Sequence, residues 1–199
     1  MQSPTYPDIT GAILVGGKSR RMGSDKALLQ MQGRPLFAEV LELFTARFGQ
    51  VVLAGDRAER FSAYRIPVMA DRYPGSSLGG IHGALSAATT GQVFIAPCDL
   101  PFPSPQLLDR ICSLAGRYDA IVPVSNQGIE PLYALYARSC LQPAQQLLEQ
   151  GCFRIIDLLD RVQTHYIQIA EQTDLTDPDR SFLNINTPLD FERLSKPQT

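Results

Sequence analysis

An apolar run, Ile9 to Val15, leads straight into Gly16-Gly17-Lys18-Ser19-Arg20-Arg21-Met22-Gly23-Ser24-Asp25-Lys26. The run has the length and bounds of a buried strand. Glycines directly after a first strand let backbone N–H groups close around phosphates, because no Cβ stands in the way. Two lysines and two arginines in the same stretch supply the cationic side chains that a triphosphate requires. The segment therefore points to a nucleotide site.

A P-loop does not explain it. Between Gly11 and Gly17-Lys18-Ser19 stand five residues where the G-x-x-x-x-G-K-[ST] pattern has four. Four of those five, Ala12 to Val15, are strand-like and unsuited to wrapping a phosphate.

The 199 residues suit one α/β domain, and a 44% hydrophobic fraction is enough for a real core. A net charge of −2 favours neither a nucleic-acid partner nor a membrane surface, so any cationic site is local. No apolar run approaches the ~20 residues of a membrane span. Residues Met1 to Asp8 lack the basic start and apolar core of a signal peptide. Cys98, Cys112, Cys140 and Cys152 form no C-x-x-C pair and read as reduced, partly buried thiols of a cytoplasmic protein. With only His82 and His165, a histidine-rich metal site is excluded.

Strand-like runs at Ile9–Val15, Gln50–Ala54, Pro67–Ala70, Gln92–Ala96 and Ala120–Pro123 alternate with amphipathic stretches at Pro35–Phe48, Gly79–Ala88 and Pro105–Ala115. In the first of these stretches Pro35 suits a first-turn position, and Leu36, Val40, Leu43, Phe44 and Ala46 mark the apolar face. The β-α-β-α rhythm predicts a three-layer α/β/α, Rossmann-like fold around a mostly parallel central sheet. Beyond residue 124, Pro131–Tyr136 and Thr164–Ile169 read as strands, and Cys140–Gln150, Phe153–Leu159 and Pro188–Leu194 as helices. Residues 171–180 read as a surface loop. The reading is one domain over residues 1–199, with about 8–124 binding the nucleotide and about 125–199 forming the acceptor side.

Ligands of such sheets bind at the carboxyl ends of the strands, where this chain places Asp56, Asp71 and Asp99. Asp99, in Pro97-Cys98-Asp99-Leu100-Pro101, is well placed to hold Mg²⁺, which takes one or two carboxylates together with waters and phosphate oxygens. Its competing role, capping the following helix, falls better to Ser104, which precedes Pro105. Lys26 reads as a point charge on the α- or β-phosphate, and Arg21 as a bidentate clamp on leaving pyrophosphate. Asp71 begins a loop into a glycine-rich helix start and suits hydrogen bonds from a sugar hydroxyl or a base N–H; spacing does not decide between them. In Phe182-Leu183-Asn184-Ile185-Asn186-Thr187-Pro188, an extended chain would put Asn184 and Asn186 on one face as a donor–acceptor pair.

Together these segments resemble the molybdenum cofactor guanylyltransferase family, within the nucleotidyltransferases. The likeness runs through Leu14–Lys26, Pro97–Pro101, Glu130–Tyr136 and Asn184–Pro188 and covers nearly the whole chain. It implies GTP contacts from Leu14, Val15, Gly16, Gly17, Lys26, Asp71 and Asp99, with Asp99 also binding Mg²⁺. It implies catalytic roles for Lys26, Arg21 and Asp99, a loop shaped by Arg21 and Gly23, and an acceptor side at Asn184 and Asn186. The implied reaction joins GTP to molybdenum-bearing molybdopterin, releasing pyrophosphate. Implied partners are GTP, molybdopterin, and cofactor-insertion proteins or target molybdoenzymes. A pterin cytidylyltransferase, a sugar-phosphate nucleotidyltransferase and a non-catalytic nucleotide- or cofactor-binding protein are the rival readings. The chain departs from the family pattern at Val15, where alanine is usual, at Ser76-Ser77, where Gly-Pro is frequent, and at Ala54-Gly55-Asp56, where an asparagine is expected.

Overall fold

The computed structural model of the chain describes residues 3–15, 30–31, 33–55, 61, 63–69, 72–172, 175 and 178–183. Strand β1 spans Tyr6–Leu14, and a small ribbon, β2 (Gln30–Met31) with β3 (Arg34–Pro35), precedes helix α1 (Leu36–Arg47). Then follow β4 (Phe48–Ala54), β5 (Val68–Met69), α2 (Ser77–Ala87), β6 (Gln92–Pro97) and α3 (Pro105–Cys112). The remainder comprises β7 (Ala120–Ser125), β8 (Gly128–Ile129), β9 (Ala134–Ala137), α4 (Leu141–Glu149), α5 (Ile155–Leu159) and β10 (Thr164–Gln168).

The main sheet runs β10-β7-β9-β6-β1-β4-β5, with β8 paired to β7. β1 lies parallel to both β4 and β6, β4 to β5, and β7 to β10, while β9 is antiparallel to its two neighbours, β6 and β7. The expected α/β/α layering follows from strict alternation along β1. Ile9 and Ile13 face α1 and α3, in a core with Phe37, Val40, Phe44, Leu107 and Ile111. Ala12 faces α2, α4 and α5, in a core with Leu78, Ile81, Leu147 and Leu158. Both sheet faces are thus covered, which is why the parallel strands read as unbroken apolar runs. Among the described residues no helix is long and apolar enough to cross a membrane.

Helix α1 departs from expectation on one side. Its buried residues are Leu36, Phe37, Val40, Phe44 and Arg47; Leu43 is half-buried and Ala46 exposed. Pro35 is extended at the N-cap, not inside the first turn. Arg47 is buried because Asp109 of α3 reaches it, with Nε donating to Oδ1 at 3.0 Å. Tyr6 donates its hydroxyl to the same Oδ1, and burial together with the Asp109 charge pushes that phenol up to about 12. All four cysteines are free, and burial pushes the Cys140 thiol up to about 12, which suits an unreactive packing group.

Gly11 owes its place to packing. A Cβ there would come within 2.4 Å of the Phe48 ring and 2.7 Å of the Phe44 ring. Those rings cannot swing away, because each also packs on Phe94, at centroid distances of 5.7 Å. Gly11→Ala should therefore cost about 2 kcal/mol through overpacking. Chemical denaturation will show it as an earlier midpoint with an unchanged slope.

Candidate active site at the carboxyl edge of the sheet

The candidate site is built where β1, β4, β5 and β6 end side by side. Leu14 is the register partner of Ala54 on one side and of Pro97 on the other. Short backbone bonds extend this alignment past the strands. Val15 N–H donates to the Ala54 carbonyl at 2.8 Å, Gly55 N–H to Met69 at 3.1 Å, and Cys98 N–H to Leu14 at 3.2 Å. The chain therefore leaves β1 toward Gly16 beside the point where it leaves β6 toward Asp99.

Asp99 is half-buried two residues beyond β6. Its loop is held from several sides. Leu100 and Pro101 are buried, and Ser104 caps α3 by accepting from Leu107 N–H at 3.2 Å. The Ser104 carbonyl accepts the buried Tyr133 hydroxyl at 2.8 Å. Ser104 thus takes the capping role expected of it and leaves Asp99 outside the helix start.

Val15 buries its side chain in the core with α1, so a larger residue than alanine is accommodated there. Its N–H is already engaged by Ala54, so Val15 would meet a nucleotide through its carbonyl and through the direction it gives the chain. Leu14 spends its carbonyl on Cys98 and packs its side chain on Gly80 of α2, whose missing Cβ would sit 3.4 Å from Leu14 Cδ2. Ser76 caps α2 by accepting from Gly79 N–H at 2.9 Å, which explains a serine where the sequence pattern has Gly-Pro.

Gly16, Gly17, Lys18, Arg20, Arg21, Gly23, Asp25, Lys26, Asp56, Asp71, Asn184, Asn186 and the helix expected at Pro188–Leu194 lie outside the described residues. The structure brings Leu14, Val15 and Asp99 together at one edge.

The segment Glu130–Tyr136 is a buttress for that edge. Tyr136 donates its hydroxyl to the Pro131 carbonyl at 2.7 Å, while Tyr133 reaches across to Ser104. Glu130 is half-buried and accepts the Ser125 hydroxyl at 2.7 Å. Burial raises its carboxyl pKa, and the Asp179 charge adds to this, while the Ser125 hydrogen bond works against it. Residues 178–182 form a 3₁₀ turn that takes in the end of the expected 171–180 surface loop, and Ser181 and Phe182, just beyond that loop, are buried. Phe182 packs edge-on against Tyr133, and the Arg180 guanidinium lies 3.9 Å over the Phe102 ring. The sequence signal for this turn is weak: one arginine in an acidic stretch, just ahead of Phe182.

Asp99 suits a hard cation by donor chemistry. Among the described residues no three or more His, Cys, Asp and Glu side chains gather into a metal cage. A single carboxylate is the kind of donor that a divalent cation shared with phosphate oxygens and waters takes from a protein.

The model of the MobA-like NTP transferase domain matches residues 11–164. A probable molybdenum cofactor guanylyltransferase of Pelotomaculum thermopropionicum is 32% identical over 183 residues, covering 92% of this chain and 89% of that protein. The molybdenum cofactor guanylyltransferase of Vibrio cholerae is 31% identical over 185 residues, covering 91% and 88%. The crystal structure of molybdopterin-guanine dinucleotide biosynthesis protein A from Archaeoglobus fulgidus superposes with a TM-score of 0.82 at 30% identity, covering 94% of this chain and 96% of that one. With a family model that spans most of the chain and relatives matched along nearly its full length, the chain belongs to the MobA-like NTP transferase family as a nucleotidyltransferase.

Proposed function

We infer that the chain transfers GMP from GTP to molybdenum-bearing molybdopterin, giving molybdopterin guanine dinucleotide and pyrophosphate. One observation carries the reading: relatives bearing the guanylyltransferase name match over about nine-tenths of both chains. The family fold alone would leave the nucleotide and acceptor open.

The acceptor's terminal phosphate attacks the α-phosphorus of GTP, a new P–O bond forms, and the bond to pyrophosphate breaks. A phosphate monoester is largely dianionic at neutral pH, so the attack needs no strong general base. The work left for the protein is positioning and charge neutralisation. Lys26 and Arg21 would balance the charge of the triphosphate, and Gly16 and Gly17 would let the backbone approach it. Leu14 and Val15 set the floor of the nucleotide site, Asp71 would hold the nucleoside, and Asn184 and Asn186 the acceptor. Asp99 would hold Mg²⁺, which when bound lowers the electrostatic cost of bringing two anions together. Residues 8–124 would form the nucleotide side and 125–199 the acceptor side, acting in the cytoplasm on GTP and molybdopterin. The product would pass to cofactor-insertion proteins or target molybdoenzymes.

A nucleotide competition assay with loaded molybdopterin tests the reading. GTP should be turned over at least about 100-fold better than CTP or ATP, since a site built to hydrogen-bond one base edge leaves polar groups unpaired with another. Preference for CTP would select a pterin cytidylyltransferase, and turnover of a sugar 1-phosphate would select a different acceptor class.

A further inference from the structure

We propose that Arg180 binds the phosphate of the acceptor, its guanidinium preset over the Phe102 ring beside the Asp99 loop. This rests on the guanylyl transfer inferred above, which leaves a charge problem. The attacking phosphate approaches a triphosphate and brings close to two negative charges of its own. The basic residues between Lys18 and Lys26 belong to the first loop and would be occupied by GTP. A second cation is needed on the side from which the acceptor comes.

Arg180 meets the physical requirements. Phe102 stands three residues after Asp99, so the guanidinium over its ring is tied to the loop that carries the candidate metal-binding carboxylate. The guanidinium carbon lies 3.9 Å from the ring centroid, and the ring offers no acceptor atom, so this contact leaves the N–H donors able to pair with phosphate in bidentate geometry. Arg180 is half-buried, and among the described residues no carboxylate lies within ion-pair distance of it. Its neighbour Asp179 is turned toward the β7–β8 turn, where Oδ1 accepts from Asn126 N–H at 3.3 Å. Glu130, which feels the Asp179 charge, accepts the Ser125 hydroxyl. The 3₁₀ turn is anchored by Phe182 on Tyr133, so the guanidinium sits on a fixed support and loses little freedom when it binds.

Steady-state kinetics with GTP and molybdenum-loaded molybdopterin separate the possibilities. Arg180→Gln should raise the KM for the acceptor about tenfold or more, the size of a lost charge-assisted hydrogen bond, with the KM for GTP unchanged. Arg180→Lys keeps the charge without the fork and should fall between the two. Phe102→Leu, which removes the platform and keeps apolar bulk, should also raise only the acceptor KM. Inorganic phosphate should compete with acceptor in the parent and lose potency in Arg180→Gln. An unchanged acceptor KM, or a parallel rise in the GTP KM, overturns the assignment. If the parent transfers no GMP to the acceptor, the functional reading falls instead. Titration of inorganic phosphate into parent and Arg180→Gln, followed by ³¹P NMR, then decides the contact alone: weaker binding by the variant upholds it, equal binding overturns it.

Discussion

Asp99→Asn should lower kcat/KM for nucleotide transfer by about 1,000-fold or more, the scale of losing a metal-templating carboxylate. The substitution keeps the shape of the side chain and removes its charge. The loop around it should hold, because its other anchors are untouched: Cys98 N–H on Leu14, buried Leu100 and Pro101, and the Ser104 carbonyl under Tyr133. The melting temperature should stay within about 3 °C of the parent, as for a change worth under about 1 kcal/mol in a chain of this size. Lys26→Ala should abolish turnover in the same way by leaving the phosphate charge unbalanced. Pyrophosphate release with GTP, Mg²⁺ and acceptor is the measurement. Near-parental turnover in either purified, folded variant would remove that residue from the chemistry. The Mg²⁺ concentration giving half-maximal GTP binding provides a second readout, which Asp99→Asn should raise.

The largest stability loss is expected far from the chemistry, at the amino edge of the sheet. Arg47 ends α1 with only 9% of its side chain exposed, against 24% for its partner Asp109 on α3. Asp109→Ala leaves that guanidinium buried without its counter-charge and takes an acceptor from Tyr6. The expected cost is about 3 kcal/mol, the low end for a broken buried pair because Asp109 keeps some solvent. Thermal melting should drop by about 10 °C. Replacing both partners, as Arg47→Met with Asp109→Leu, should restore most of the loss, since apolar groups of similar size remove the orphaned charge together with its partner. A melting point near the parent's in Asp109→Ala would show that the pair contributes little. The same variant should keep its KM values, because the strand ends that shape the site lie at the other edge.

The layered architecture was legible because parallel strands covered on both faces are apolar along most of their length, and their helices restore a 3.6-residue period between them. Asp99 was legible as polar punctuation directly after such a run. The misreading of α1 has a different cause. Arg47 counts as solvent-facing by composition, and only its meeting with Asp109, far along the chain, makes it an inner residue. Pro131–Tyr136 was recognisable as strand-like, yet only Ala134–Ala137 pairs as β9, antiparallel, and local pattern says nothing about direction. Glu130 and Tyr133 were visible as part of a family-like segment without roles, which come from partners at Ser125 and Ser104. Arg180 and Phe102 were missed altogether, since one sits in an acidic, proline-bearing stretch and the other in a turn.

Strand β9 has a consequence for how this enzyme can diversify. Its ladders to β6 on one side and β7 on the other join the two parts of the chain through peptide groups, whose bonding does not depend on which side chains are present. Side chains beyond β9 can therefore vary without shifting that seam, much as a common chassis accepts different tool heads.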